Sequence, residues 1–253
     1  MKIVFMSLCF VTVVCLLGVY LLSRAKGINS SSVSNTNSLD VKNNSVVSSS
    51  NSSTSANNTY SSDVVEIFNR GVDYAEKGDY ENAIKDFTRA IEINPKFAEA
   101  YNNRGKAYSD MGDNERAIAD YTRAIEINPK YVDAYYNRGL AYADLGDYER
   151  AIADYNRALE INPKDAAAYN NRGNAYALMG DNERAIADYT RALEINPKYA
   201  NAYFGKGFVY EELGRFQEAV EAYKNFLSCV SGTPGMGNFI ERAKQRIKEL
   251  EGK

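Results

Sequence analysis

The chain of 253 residues has no histidine and no tryptophan, only three cysteines and only five prolines. Without histidine, the commonest general base and the commonest metal ligand are both missing. Cys9 and Cys15 lie within an N-terminal apolar run, which leaves Cys229 as the only thiol in the rest of the chain. No disulfide can form there, and Cys229 is expected to serve as a small buried apolar residue. A basic excess is missing too: 30 Lys and Arg face 33 Asp and Glu, a formal net charge of −3. Nucleic acid needs a basic stripe to neutralise its phosphates, so that partner is excluded. Gly232-Thr-Pro-Gly-Met-Gly237 is glycine-rich but lacks both Gly-Lys-Ser/Thr and the G-x-G-x-x-G order, so it reads as a hinge. No nucleophile stands beside a base. The expectation is a protein that is not an enzyme and has no cofactor, no metal and no small-molecule substrate.

What is present is repetition. Pro95, Pro129, Pro163 and Pro197 fall 34 residues apart, and so do Gly71, Gly105, Gly139, Gly173 and Gly207. Tyr74, Tyr108, Tyr142, Tyr176 and Tyr210 keep that period, as do Ala83, Ala117, Ala151, Ala185 and Ala219. A fixed period of this length signals stacked supersecondary units. Five units are expected over 64–233: 64–97, 98–131, 132–165, 166–199 and 200–233. In the unit Ala98 to Tyr131, Tyr101, Gly105, Tyr108 and Met111 form the apolar seam of a first helix. Gly112 can take the left-handed turn that ends this helix, and Asp113 can cap the next one. Ala117, Ile118, Tyr121, Ala124 and Ile125 line the second helix, and Asn128-Pro129 stops it. A glycine inside a helix costs roughly 0.5–1 kcal/mol against alanine. Gly105 therefore implies close approach, with the helix at Ala117 as the expected neighbour and Tyr121 and Tyr135 filling the space between hairpins. Arg116, Asp120, Arg123 and Glu126 read as a solvated, ion-paired face.

Outside the units the chain has three further zones. Ile3 to Leu22 carries no charge and is long enough, at about 1.5 Å per helical residue, to cross a bilayer core of roughly 30 Å. Residues 1–26 are expected to be a membrane anchor, with a signal cleaved near Ala25 as the alternative. Residues 27–63, rich in Ser and Asn, read as a flexible linker. In 234–253, Phe239, Ile240, Ala243, Ile247 and Leu250 lie on one helical face, as a helix capping the end of a stack requires.

The pattern of Gly105, Tyr108, Gly112, Ala117, Tyr121, Ala124 and Pro129, repeated in neighbouring units, resembles the tetratricopeptide repeat. Tyr101, Tyr135, Tyr169 and Tyr203 stand where that family usually has tryptophan, with Ile67 in the first unit. In the fifth unit Phe226 replaces a small alanine and Ser231 the proline. The resemblance implies an all-α, right-handed superhelical solenoid of five helix-turn-helix repeats plus a C-terminal end helix. It also implies a concave groove, lined by the first helices, that holds peptides.

Comparing the units points to the same groove. Ala98–Tyr131 and Ala166–Tyr199 differ at Glu99/Ala167, Lys106/Asn174, Ser109/Ala177 and Asp110/Leu178, with a conservative Ile125/Leu193 change besides. At about 100° per residue the first four lie on one arc of the first helix. The groove is expected to comprise Glu99, Asn102, Lys106, Asp110, Asp133, Tyr136, Asn170, Asn174, Phe204 and Phe208. Glu76, Asp144, Glu211 and Glu212 add acidity, Phe68 adds an apolar island, and Lys106 is almost alone in sign. An extended protein or peptide segment with basic and apolar side chains should fit. Family members that hold chaperone C-termini use cationic clamps, and Glu99 and Asp133 stand where such a clamp would want cations. The leading reading is a membrane-tethered scaffold, with the repeats periplasmic or extracellular. The alternatives are an accessory subunit of an envelope enzyme or assembly complex, a secreted repeat protein after cleavage, and a cytosol-facing adaptor on an organelle.

Overall fold

The computed structural model describes residues 62–230 and 236–252. The anchor at Ile3–Leu22, the linker up to residue 61 and most of the glycine-rich hinge lie outside the described residues. No helix among the described residues is long and apolar enough to cross a membrane.

Eleven helices fill the described residues: α1 (Ser62–Glu76), α2 (Tyr80–Ile93), α3 (Ala98–Asp110), α4 (Asn114–Ile127), α5 (Val132–Asp144), α6 (Tyr148–Ile161), α7 (Ala166–Leu178), α8 (Asn182–Ile195), α9 (Ala200–Glu212), α10 (Phe216–Val230) and α11 (Gly237–Leu250). They pack in consecutive pairs, each hairpin against the next, and α11 packs on α10. Consecutive first helices also touch (α1 with α3, α3 with α5, α5 with α7, α7 with α9), and no such row of contacts joins the second helices. The array therefore bends toward its first helices, and their outward arc lines the inner side of the curve.

Each hairpin is built by the local chemistry the sequence carries. Gly112 has φ +85°, the left-handed region where a side chain would be strained. The Asp113 carboxylate then accepts from the Arg116 backbone N–H at 3.1 Å, and Asp147 and Asp181 cap α6 and α8 in the same way. α4 stops at Asn128, whose extended backbone precedes Pro129. Each capping aspartate also accepts from the arginine side chain three residues on, and that arginine lies over a tyrosine of the preceding helix. Arg116 is 4.4 Å from the Tyr108 ring and Arg150 is 4.4 Å from the Tyr142 ring.

These bonds hold the carboxyls of Asp113, Asp147 and Asp181 below the ordinary aspartate range, the arginine side-chain bond acting first and the backbone N–H second. A carboxyl whose pKa is depressed on folding stabilises above its unfolded value, about 3.9. That contribution is lost as pH falls through the folded value. Acid unfolding followed by circular dichroism should therefore steepen below about pH 4. Changing all three aspartates to asparagine, which caps without titrating, should flatten that acid limb. An unaltered acid limb would contradict the assignment.

The mid-helix glycines sit at close approaches, as expected, but the nearest neighbour is a ring. A Cβ on Gly105 would meet Tyr121 Cε1 at 2.9 Å, with the Ala117 carbonyl oxygen next at 3.1 Å. Tyr121 thus fills the space within its own hairpin, and it also clusters with Ala141 of the next hairpin, so it packs between hairpins as well. Asp120 corrects a second expectation. It is buried and bonds both Nε and Nη2 of Arg104, from the first helix, at 2.7 and 2.8 Å. The other three keep the solvated role: Arg123 and Glu126 form an exposed pair at 2.7 Å, and Arg116 is exposed beside Asp113. Cys229 is half-buried and free.

The arginine recurs as Arg70, Arg104, Arg138 and Arg172, each forked onto Asp86, Asp120, Asp154 or Asp188 sixteen residues on. The last three also reach back to the previous hairpin. Arg104 Nη1 donates to Thr88 at 3.0 Å, Arg138 Nη1 to Thr122 at 2.9 Å and Arg172 Nη1 to Asn156 at 2.6 Å. One guanidinium thus ties three helices, a geometry that a planar fork provides and an ammonium does not.

The end helix caps the stack as its pattern requires. Phe239, Ile240, Ala243, Ile247 and Leu250 pack onto the core of the fifth hairpin. Phe226, which takes the place of a small alanine, is buried there, its ring 5.0 Å from Phe204. Arg246 of the end helix pairs with Glu211 of α9.

Candidate functional site

The inner arc is set by register. One turn of each first helix puts the fifth and ninth residues of the unit side by side: Phe68 and Val72, Asn102 and Lys106, Tyr136 and Leu140, Asn170 and Asn174, Phe204 and Phe208. The second residue of the unit, Glu99 or Asp133, stands one turn earlier on the same face.

The structure divides the expected groove residues into three groups. Lys106, Asp110 and Asp133 are exposed, and Glu99 and Tyr136 are half-buried, so a partner can reach these five. Asn102, Asn170 and Asn174 are buried and form the floor. Phe204 and Phe208 do not present exposed rings. Phe204 is 3% exposed, with Tyr223 at 5.5 Å, Phe226 at 5.0 Å and Phe239 of the end helix at 5.4 Å. Phe208 is packed against a cluster holding Tyr176, Tyr189 and Val209. Both rings lie on the inner arc by register, but Phe204 joins the core beneath the end helix and Phe208 joins the cluster of the fourth hairpin. Glu211 is also committed, since it accepts from Tyr223 at 3.3 Å and pairs with Arg246. Phe68 is half-buried against Phe97 at 4.8 Å.

The accessible part of the groove, over the second to fourth hairpins, is acidic and aromatic. Desolvation in the concavity pushes the Asp133 carboxyl up; Asp165 adds to this and Lys106 opposes it. Burial, with Asp165 and Asp133 nearby, likewise holds the Tyr136 hydroxyl well above its ordinary range. This is an arrangement that a cation entering the concavity would relieve.

Sequence reasoning missed the residues that join the floor into a line. Asn137 Nδ2 donates to Asn102 Oδ1 of the previous hairpin at 3.2 Å, and Asn171 Nδ2 donates to the Tyr136 hydroxyl at 2.8 Å. Within a helix, Asn102 Nδ2 donates to Asn103 Oδ1 at 3.3 Å and Asn170 Nδ2 to Asn171 Oδ1 at 3.1 Å. The signal was available: Asn69, Asn103, Asn137 and Asn171 recur at the repeat period, and the fifth place is Gly205. Two atoms of the floor lack partners. Asn170 Oδ1 and Asn174 Nδ2 are buried and unbonded, although Asn174 Oδ1 accepts from Tyr189 at 2.8 Å. An unmet buried polar group costs about 1–3 kcal/mol. No group of His, Cys, Asp and Glu among the described residues has the arrangement of a metal site.

Comparison with known proteins agrees with this architecture. Tetratricopeptide repeat models match residues 103–166, 154–187 and 201–228, and a TPR repeat model matches residues 71–112 and 173–214. No curated protein matches the chain. Among solved structures, MamA is 30% identical with a TM-score of 0.60, over 64% of this chain and 94% of that one. YrrB, described as a TPR protein with an unusual peptide-binding site, is 20% identical with a TM-score of 0.58, over 67% of this chain and 88% of that one. A thermophilic TPR protein of Thermus thermophilus, TTC0263, is 23% identical with a TM-score of 0.58, over 73% of this chain and 98% of that one. The repeat matches run through all five hairpins, and the chain belongs to the tetratricopeptide repeat family.

Proposed function

We propose that this protein is a non-catalytic scaffold that binds an extended segment of another protein along the inner face of its second to fourth hairpins. One observation carries the reading. Near-identical copies of the hairpin differ mainly along the inner arc, and Glu99, Lys106, Asp110, Asp133 and Tyr136 are accessible on it. The ligand is basic, with apolar side chains between its charges, because carboxylates outnumber the single lysine there. The peptide site described for YrrB is in keeping with this role.

A basic ligand stabilises the ionised form of Asp133, whose carboxyl is held high in the free protein. Affinity should therefore rise with pH through the upper carboxylate range and level off once Asp133 is ionised. Isothermal titration with a Lys-rich peptide at several pH values checks this. A flat profile would place the cation elsewhere.

The tether is part of the proposal. We infer that Ile3 to Leu22 anchors the chain, that the Ser/Asn-rich stretch tethers the repeats to it, and that the repeats lie in the periplasm or extracellular space. An anchored protein stays in the membrane pellet through alkaline carbonate washing, with its N-terminal peptide intact. A soluble protein beginning at Lys26 would show instead that the segment is a cleaved signal.

A further inference from the structure

The joint between the fourth and fifth hairpins is built unlike the three before it. An arginine crosses each earlier joint: Arg104 to Thr88, Arg138 to Thr122 and Arg172 to Asn156, at 3.0, 2.9 and 2.6 Å. At the fourth joint Lys206 takes the place of the arginine and Ala222 that of its aspartate. Lys206 lies over a ring of its own helix instead, its Nζ 5.6 Å from the centre of Tyr210. The receiving half of the strap is already in place. Thr190 donates to the Ile186 carbonyl at 2.8 Å, as Thr122 does to that of Ile118 at 2.7 Å, and only the arginine is missing. A second tie is absent too. Asn137 and Asn171 each donate to the hairpin before them, and the next residue in that series is Gly205. Apolar contact remains: Ala202, Phe208 and Val209 cluster with Tyr189 and Ala192. Such contact is not directional, so it resists separation without fixing an orientation.

Beyond this joint the last three helices form a body of their own. All members of the core cluster around Phe204 and Phe226 lie after the joint, in the fifth hairpin, the end helix or Met236 beside it. Two ion pairs fasten the end helix to that hairpin, Arg246 with Glu211 and Lys224 with Glu251 at the helix end. The Phe239 ring of the end helix stands 5.4 Å from that of Phe204. Directional ties are therefore plentiful within this body and sparse where it meets the rest of the array.

We propose that residues 200–250 swing open at this joint as one folded three-helix body, hinged on the link 196–199 between α8 and α9. The closed joint covers Ala202 and Val209, each 0% exposed, and opening uncovers that apolar face at the C-terminal end of the array. This motion differs from fraying of a terminal unit, which would first lift the end helix from its own core.

The test uses the full chain with Cys9, Cys15 and Cys229 replaced by alanine, and one cysteine introduced at a time. Ala134→Cys and Ala202→Cys occupy equivalent buried places at the second and fourth joints, and Ala243→Cys lies beneath the end helix. Reaction with a thiol reagent under native conditions reports how often each place opens. Ala202→Cys should react at least roughly tenfold faster than Ala134→Cys, the factor expected from the missing charged hydrogen bonds. Ala243→Cys should react more slowly than Ala202→Cys. Restoring the strap with Lys206→Arg and Ala222→Asp should slow Ala202→Cys by a similar factor. Should Ala222→Asp prevent folding, the reverse change decides: Arg138→Lys with Asp154→Ala should speed the reaction of Ala134→Cys. Equal rates at Ala134→Cys and Ala202→Cys would overturn the proposal, as would a restored strap that leaves the rate at Ala202→Cys unchanged. If Ala243→Cys reacts as fast as Ala202→Cys, the chain frays from its end and the hinged body is wrong. The outcome is independent of what the inner face binds.

Discussion

Replacing Asp154 with alanine should destabilise the array by about 3–5 kcal/mol, the range for removing one partner of a buried ion pair. The side chains of Arg138 and Asp154 are only 17% and 6% exposed, and two bonds of 2.8 Å join them. Alanine would leave the guanidinium buried against Thr122 with no counter-charge. In a repeat array stability is a sum of unit and neighbour terms, so the third hairpin should loosen from the second as well. The diagnostic comparison is the pair replacement Arg138→Met with Asp154→Leu. Apolar residues of similar volume remove both charges together, and the double variant should be more stable than Asp154→Ala. Urea unfolding monitored by circular dichroism measures both. If the single substitution shifts the midpoint no more than the exposed Glu126→Ala does, the arginine ladder does not hold the stack.

Gly139→Leu is the second large effect. A Cβ at this position would lie 2.8 Å from Tyr155 Cε1 and 3.0 Å from Cδ1. Tyr155 is 0% exposed, so its ring has no free space to yield into. Overpacking of this kind costs roughly 1–3 kcal/mol, and more where backbone must move. Because the glycine sits in the middle hairpin, a thermal melt should broaden as well as shift, with both flanking hairpins weakened. An unchanged melting temperature would show that the helices have room to spare.

The hairpins were legible because their determinants are local. Gly112, Asp113 and Asn128-Pro129 act on their own helix ends, and each behaves in the structure as its chemistry predicts. Asp120 was misread because its partner is sixteen residues away on another helix, outside any helical-face argument. The information was nonetheless present. Arginine and aspartate recur together in four units and are lost together in the fifth, as Lys206 and Ala222. Phe204 and Phe208 failed differently. Both lie on the inner arc by register, but register does not say what lies above a residue: the end helix closes over Phe204, and Phe208 packs into the cluster of the fourth hairpin. The asparagine line was missed because unit comparison seeks differences, whereas Asn69, Asn103, Asn137 and Asn171 are the same in the first four units.

The central claim is that binding belongs to the inner face. Peptides selected from a random display library on the full chain supply defined probes, and one pair of double variants decides the matter. Glu99→Lys with Asp133→Lys reverses the accessible inner face, while Arg123→Glu with Glu126→Lys exchanges an exposed pair on a second helix. Binding of the selected peptides should be measured by titration at low and moderate salt. We predict peptides rich in Lys, Arg and apolar residues, an association rate that falls sharply and loses its salt dependence in the first variant, and no change in the second. Retained affinity in the Glu99 and Asp133 variant, with loss in the Arg123 and Glu126 variant, would place the binding surface on the outer helices and contradict the account.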